Sequence, residues 1–158
     1  MQRLSVDDAP AMARLHAEGF DRPWSAGDFA GFLANGAYAA FGITQDEKLQ
    51  AFILYQQIPP ELELCTLVVA PKFRRSGLAR TLITRSLASF ENISTCYLEV
   101  NEYNAPAKLL YTALGFEVSA VRNGYYKSAD GSAADAICLL YTSPSPRDRT
   151  RSRMPSSA

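Results

Sequence analysis

Glu99 stands in the run Leu98-Glu99-Val100-Asn101, a carboxylate inside an otherwise apolar strand just before a loop. An apolar setting disfavours the charged form, which suits a general base near neutral pH; a strand-end glutamate held by a salt bridge fits the residues equally well. Tyr111 follows Lys108 by three residues and precedes Leu114 by three, so these positions share one side of a helix. A phenol with an ordinary pKa of about 10 is a competent proton donor at neutral pH, and half-buried packing is the competing role. Asn104 is placed to cap that helix, which is compatible with its side chain also meeting a ligand.

The segment Val69-Ala-Pro-Lys-Phe-Arg-Arg-Ser-Gly-Leu-Ala79 offers a second kind of chemistry. Leu64 to Val69 reads as a buried strand, Pro71 blocks its continuation, and Gly77 opens an amphipathic run through Phe90 with Leu78, Leu82, Ile83 and Leu87 at helical spacing. The turn is therefore also a helix N-terminus, where unpaired amides and the positive end of the helix dipole favour an anion. Gly77 has no Cβ, so the main chain can approach phosphate oxygens closely, while Arg74, Arg75 and Arg80 add positive charge. This predicts a site for a pyrophosphate-bearing cofactor; a surface turn with solvated arginines is the alternative.

The elements that must position these groups follow from periodicity. Asp7 or Asp8 can cap a first helix to about Glu18, and Ser25, after Pro23-Trp24, can cap a second through about Asn35 with Phe29, Phe32 and Leu33 as its apolar stripe. His16, the only histidine, has no nucleophile or ligand beside it in sequence and reads as a helix-face residue. Three strands then form an antiparallel meander at Ala37 to Thr44, Leu49 to Gln57 and Glu61 to Val69, joined by Gln45 to Lys48 and by Ile58-Pro59-Pro60. After the phosphate-turn helix come a strand from Cys96 to Val100, a helix from Ala105 to Leu114 ended by Gly115, and a strand from Phe116 to Arg122. The order predicts an α/β domain with a mixed sheet.

A chain of 158 residues with 47% hydrophobic and 20% charged composition suits one globular domain with a real core. No stretch approaches a membrane span and no charged region precedes an apolar run at the N-terminus, so a cytoplasmic location is expected. Cys65, Cys96 and Cys138 lack metal-ligand spacing, and the first two lie in predicted strands as buried reduced thiols; no metal is expected. From Cys138 to Asp148 every residue matches, in order, the codons of a transposase-type sequencing-library adapter, and Arg149 to Ala158 is a Ser/Arg/Pro run. The predicted organisation is a domain over residues 1–137, with 138–141 able to complete the last strand and 142–158 a disordered, non-native tail. Sixteen basic and sixteen acidic residues balance overall, yet the tail holds Arg147, Arg149, Arg151 and Arg153 against Asp148. Without it the body carries 12 basic and 15 acidic residues, net −3, which argues against nucleic-acid binding and is compatible with a cationic peptide or amine as partner.

Taken together, Pro23-Trp24-Ser25, the Arg74 to Ala79 turn, Leu98-Glu99-Val100-Asn101-Glu102-Tyr103-Asn104-Ala105, Leu110-Tyr111-Thr112-Ala113-Leu114-Gly115-Phe116 and Arg122-Asn123-Gly124-Tyr125-Tyr126 occur in a telling order. Over about Met1 to Ile137 the chain resembles the GCN5-related N-acetyltransferase (GNAT) superfamily, and more closely its bacterial ribosomal-protein-alanine branch known as RimI. The resemblance implies a mixed central sheet of about six to seven strands flanked by about four helices. It implies acetyl-CoA as donor, with Leu67, Val68 and Val69 pairing along the pantetheine arm. Arg74, Arg75, Ser76, Gly77, Leu78, Ala79 and Arg80 would surround the pyrophosphate, and Asn104 would contact the cofactor. Glu99 is implied as general base and Tyr111 as general acid in direct transfer, with Val69 N–H a donor to the tetrahedral oxyanion. The implied acceptor is a protein N-terminus, possibly of a small-subunit ribosomal protein, in a groove around Trp24, Tyr125 and Tyr126. Ala79 stands where the family often has glycine. Acetylation of a small amine or lysine side chain, or a catalytically silent acyl-CoA-binding module, are the alternatives. No membrane and no direct nucleic-acid partner is expected, and a monomer is the favoured state.

Overall fold

The computed structural model describes residues 1–128 and 130–142. The tail expected over 142–158 lies outside them except for Thr142, the last residue of a strand. Among the described residues, seven strands and four α-helices make up a mixed α/β fold. The described chain forms two compact units, Met1–Ile58 with Glu63–Glu91, and Pro59–Leu62 with the residues from Asn92 onward. Among the described residues no helix is long and apolar enough to cross a membrane.

In the first unit β1 (Gln2–Arg3), β2 (Tyr38–Gln45), β3 (Lys48–Ile58) and β4 (Glu61–Val69) lie in that order. The short β1 escaped sequence reading because two exposed residues show no alternation. The β2–β3 hairpin closes with Gln45 opposite Lys48, and both intervening residues, Asp46 (φ 54°) and Glu47 (φ 61°), are left-handed. That is the two-residue turn whose twist matches its strands. One face of β3 and β4 packs Phe52, Leu54 and Val68 against Met12, Leu15 and Phe29 of α1 (Ala9–Gly19) and α2 (Ala26–Ala34). The other face buries Tyr55 with Leu82 and Ile83 of α3 (Leu78–Ala88), and Phe41 and Phe90 close edge-on around it. Helix α3 stops at Ala88, two residues short of the predicted Phe90.

The caps explain where the helices begin. Ser25 Oγ accepts from Asp28 N–H at 3.1 Å while Asp28 Oδ2 accepts from Ser25 N–H at 2.9 Å, a reciprocal box that starts α2. At α1 the expected aspartate cap is not made. Asp8 turns back to accept from Ser5 N–H at 2.8 Å, closing a single 3-10 turn over Val6–Asp8, and α1 follows with Pro10 in its first turn.

The second unit orders β5 (Thr95–Asn101), β7 (Ala133–Thr142) and β6 (Glu117–Lys127) as antiparallel neighbours, so the strand formed last in sequence lies between the other two. β6 runs five residues beyond the predicted Arg122, because Gly124 (φ 64°) bulges the strand and lets pairing resume at Tyr126. Helix α4 (Ala105–Ala113) ends in a Schellman motif: Phe116 N–H reaches Tyr111 O at 3.0 Å, Gly115 N–H reaches Thr112 O at 3.1 Å, and Gly115 takes φ 100°. The accompanying apolar contact is Phe116 edge-on to Tyr111, centroids 5.4 Å apart.

Candidate active site

The turn after β4 has the shape its sequence requires. Pro71–Phe73 make one 3-10 turn, Arg75 (φ 65°) and Gly77 (φ 87°) are left-handed, and α3 starts at Leu78. The first helical bond of α3 is Thr81 N–H to Gly77 O at 3.0 Å, so the amides of Leu78, Ala79 and Arg80 precede any intrahelical acceptor. A Cβ built on Gly77 meets nothing within 4 Å, which leaves the surface over these amides open. That geometry fits a diphosphate. Arg74 is folded back, its Nε donating to Val69 O at 3.2 Å, and Ser76 Oγ donates to Phe73 O. Any contact from Ser76 to an anion therefore falls to its backbone. Along β4, Val68 is buried in the core, whereas Leu67 and Val69 are half-buried on the other side of the strand. Val68 can serve a ligand only through its main chain.

In the second unit Glu99 has the salt bridge that was one of the two readings of its strand, rather than a wholly apolar setting. Its Oε1 lies 3.2 Å from Arg122 Nη2, and the Glu99 side chain retains 24% exposure. The strand register supplies the reason. Glu99 faces Cys138 across the β5–β7 ladder, while Arg122 faces Ala136 and Tyr126 faces Ala134 across the β6–β7 ladder. Residues 134, 136 and 138 share one face of β7, so Glu99, Arg122 and Tyr126 gather over a strip of small side chains that lets the long arginine cross the central strand. Burial, then the nearby Glu99 charge, then Tyr125 push the Tyr126 phenol above its ordinary range. The Arg122 guanidinium also sits 5.3 Å from the Tyr125 ring centre, and the two tyrosine rings meet edge-on at 5.2 Å. Asp135 completes the arrangement by accepting from Gly124 N–H at 2.9 Å, which fixes the bulge beneath the tyrosines.

Tyr111 is 6% exposed and packs on Phe116, so the packing role weighed from sequence is realised; burial first, then Cys96, holds its phenol well above the usual range. Asn104 caps α4 as expected, its Oδ1 accepting from Ala107 N–H at 3.3 Å. Trp24, in the first unit, is half-buried, and its backbone N–H donates to His16 Nδ1 at 3.0 Å while the two rings stack 5.0 Å apart. Arg122 and Asp135 were not singled out individually by the sequence reading. The signal that could have found them is the alternation Ala134, Ala136, Cys138, which marks a face kept small for something to lie across.

Residues 9–116 match the Acetyltransferase (GNAT) family. The [ribosomal protein bS18]-alanine N-acetyltransferase of Escherichia coli (strain K12) is 34% identical over 138 residues, 86% of this chain and 92% of that protein. N-alpha-acetyltransferase RimI of Mycobacterium tuberculosis is 32% identical over 149 residues, 90% and 92% of the two chains. The crystal structure of the E. coli ribosomal-protein-S18-alanine N-acetyltransferase superposes with a TM-score of 0.82 at 33% identity, covering 89% of this chain and 91% of that one. Arabidopsis thaliana NAA60 in complex with acetyl-CoA shares the fold, with a TM-score of 0.77 at 18% identity over 89% and 96% of the chains. With a family match over residues 9–116 and relatives above 30% identity along most of its length, the chain belongs to the Acetyltransferase (GNAT) family of acyl-transferring enzymes.

Proposed function

We propose that the protein transfers the acetyl group of acetyl-CoA to the α-amine of a protein N-terminus, with a cytoplasmic small-subunit ribosomal protein as the leading acceptor. The observation that carries the cofactor half is the open, doubly left-handed turn at Arg75 and Gly77, which presents the first amides of α3 to an anion. In this reading the turn binds the diphosphate with Arg74, Arg75 and Arg80 around it, and the main chain of Leu67–Val69 pairs with the pantetheine arm. Asn104 contributes a further polar contact. The acceptor half rests on relatives named for alanine N-acetylation and on the aromatic residues Trp24, Tyr125 and Tyr126.

The acceptor arrives as an ammonium and must lose a proton before its nitrogen can attack the thioester carbonyl. Glu99 takes that proton, directly or through water, with Arg122 fixing the direction of its carboxylate. Val69 N–H donates to the developing oxyanion. Tyr111, whose burial keeps the phenol protonated, supplies a proton to the departing sulfur. No covalent enzyme intermediate is required, and the cysteines have no catalytic task.

A peptide beginning with alanine and carrying an internal lysine, incubated with acetyl-CoA and the protein, is expected to gain one acetyl group on its α-amine by fragment-ion mass spectrometry. Label on the lysine with none on the α-amine would reject the reading. Glu99→Gln is expected to retain acetyl-CoA binding and lose about 100-fold or more in kcat. A native protein that binds acetyl-CoA without turnover would make the chain a silent binding module.

A further inference from the structure

The first unit contains a small open pocket that shares only Trp24 with the acceptor residues named above. Trp24, Phe32 of α2, Tyr38 of β2, Gln56 of β3, and Glu63 and Cys65 of β4 line a space of about 250 Å³. That is below the roughly 300–1,000 Å³ of small-molecule sites, a size for one long side chain rather than a free metabolite. Its walls are aromatic and held in place. Phe32 and Tyr38 stack with centroids 4.9 Å apart, Trp24 meets Phe32 edge-on at 5.3 Å, and Trp24 is fixed from behind by His16.

Glu63 is the one charged residue among those lining the space, and its field is felt across it. Burial, then the Glu63 charge, push the Cys65 thiol up to about 12, and Glu63 also helps to raise the Tyr38 phenol after burial and Cys65. A carboxylate offers about four lone-pair positions, so an arriving cation adds to the contacts Glu63 already makes within the protein. Aromatic faces with one carboxylate select a cation whose aliphatic stem can lie on the rings.

We infer that this pocket is a specificity subsite for the lysine or arginine side chain of the acceptor's second residue. The inference rests on the acceptor reading proposed above. Cys65 precedes Leu67 by two residues, roughly 7 Å along β4 at about 3.3 Å per residue. A chain whose α-amine reacts beside Leu67–Val69 advances about 3.5 Å per residue, so a long side chain at its second position spans the interval.

Steady-state kinetics with two otherwise identical peptides, Ala-Lys and Ala-norleucine at their first two positions, test this. The lysine peptide is expected to show a KM about 5- to 30-fold lower, from a cation–π contact together with a partly shielded ion pair. Glu63→Gln should bring the two within about twofold while KM for acetyl-CoA stays unchanged, and Glu63→Asp, which keeps the charge, should restore the preference. Equal KM values in the native protein, or a preference that survives Glu63→Gln, would overturn the subsite. If neither peptide is acetylated on its α-amine, the acceptor reading fails separately, and Trp24 then decides the subsite. As the only tryptophan in the chain, it reports occupancy by its emission. Quenching by the lysine peptide that weakens with Glu63→Gln sustains the pocket as a cation site, and no Glu63-dependent quenching removes it.

Discussion

Gly77 and Gly131 form a matched pair for testing the phosphate turn. Both have φ 87°, and a Cβ built on either meets nothing within 4 Å, so replacing each by alanine imposes the same backbone strain without a clash. An L-residue held left-handed costs roughly 1–2 kcal/mol, and the smaller freedom of the unfolded alanine chain offsets part of that. Each variant should lose about 1 kcal/mol, a drop in Tm of about 2–4 °C for a chain of this size. Their binding should diverge. At Gly77 the left-handed turn is what presents the amides of α3, so strain there disturbs the phosphate contacts; weakening one or two charge-assisted N–H to phosphate bonds amounts to about 2 kcal/mol, or roughly 30-fold in Kd for acetyl-CoA. At Gly131, in the β6–β7 turn, no such change is expected. Calorimetric titration with acetyl-CoA alongside thermal melts of both variants gives the comparison. Unaltered affinity in Gly77→Ala, or equal weakening in Gly131→Ala, would refute the reasoning.

Three further outcomes follow from local geometry. The Thr66 hydroxyl is buried without a hydrogen-bond partner, so Thr66→Val should leave stability unchanged or raise it by about 1 kcal/mol in urea unfolding; a loss beyond that would mean the hydroxyl is satisfied in solution. Glu47 holds φ 61° in the β2–β3 turn, and Glu47→Gly should raise the urea midpoint by an amount equivalent to about 0.5–1 kcal/mol. His16 is buried among aromatic rings, and burial lowers its pKa from the ordinary 6.5. The unfolded chain therefore binds the proton first: the contribution of neutral His16 is complete above about pH 6.5 and is lost as pH falls from there toward the lowered folded value. His16→Asn, which keeps an acceptor for the Trp24 backbone N–H, should flatten the stability profile between about pH 7 and 5, and an unchanged slope would contradict this.

Local rules made most elements readable. Ser25 with Asp28, Gly115 after α4, and Gly77 before α3 each announce a helix end through chemistry confined to four residues, and the structure realises all three. What went unread depends mostly on partners distant in sequence. The cap expected of Asp7 or Asp8 is the exception, since the competitor for the Asp8 carboxylate is Ser5 N–H, only three residues away. Glu99 reads equally as a desolvated base or as a salt-bridged strand-end glutamate; the ion pair is present, but its partner Arg122 is brought over by two strand registers and a bulge that no local rule shows. Tyr111 reads either as a proton donor or as half-buried packing, and only the Schellman turn with Phe116 shows how completely its phenol is enclosed. The Trp24 pocket was invisible for the same reason, since its residues come from four separate elements and the loop before α2.

The placement of β7 between β5 and β6 bears on how the protein comes off the ribosome. β5 is synthesised well before the strand that joins it to β6, and β6 directly before it, so their inner edges stay unmatched until Ala133–Thr142 is made. Nascent molecules thus pass through a stage with open strand edges on either side of a gap, and chains stalled there would adhere to one another. A slow stretch of codons just upstream of residue 133 would lengthen that hazard, and a chaperone present at the tunnel exit would shorten it.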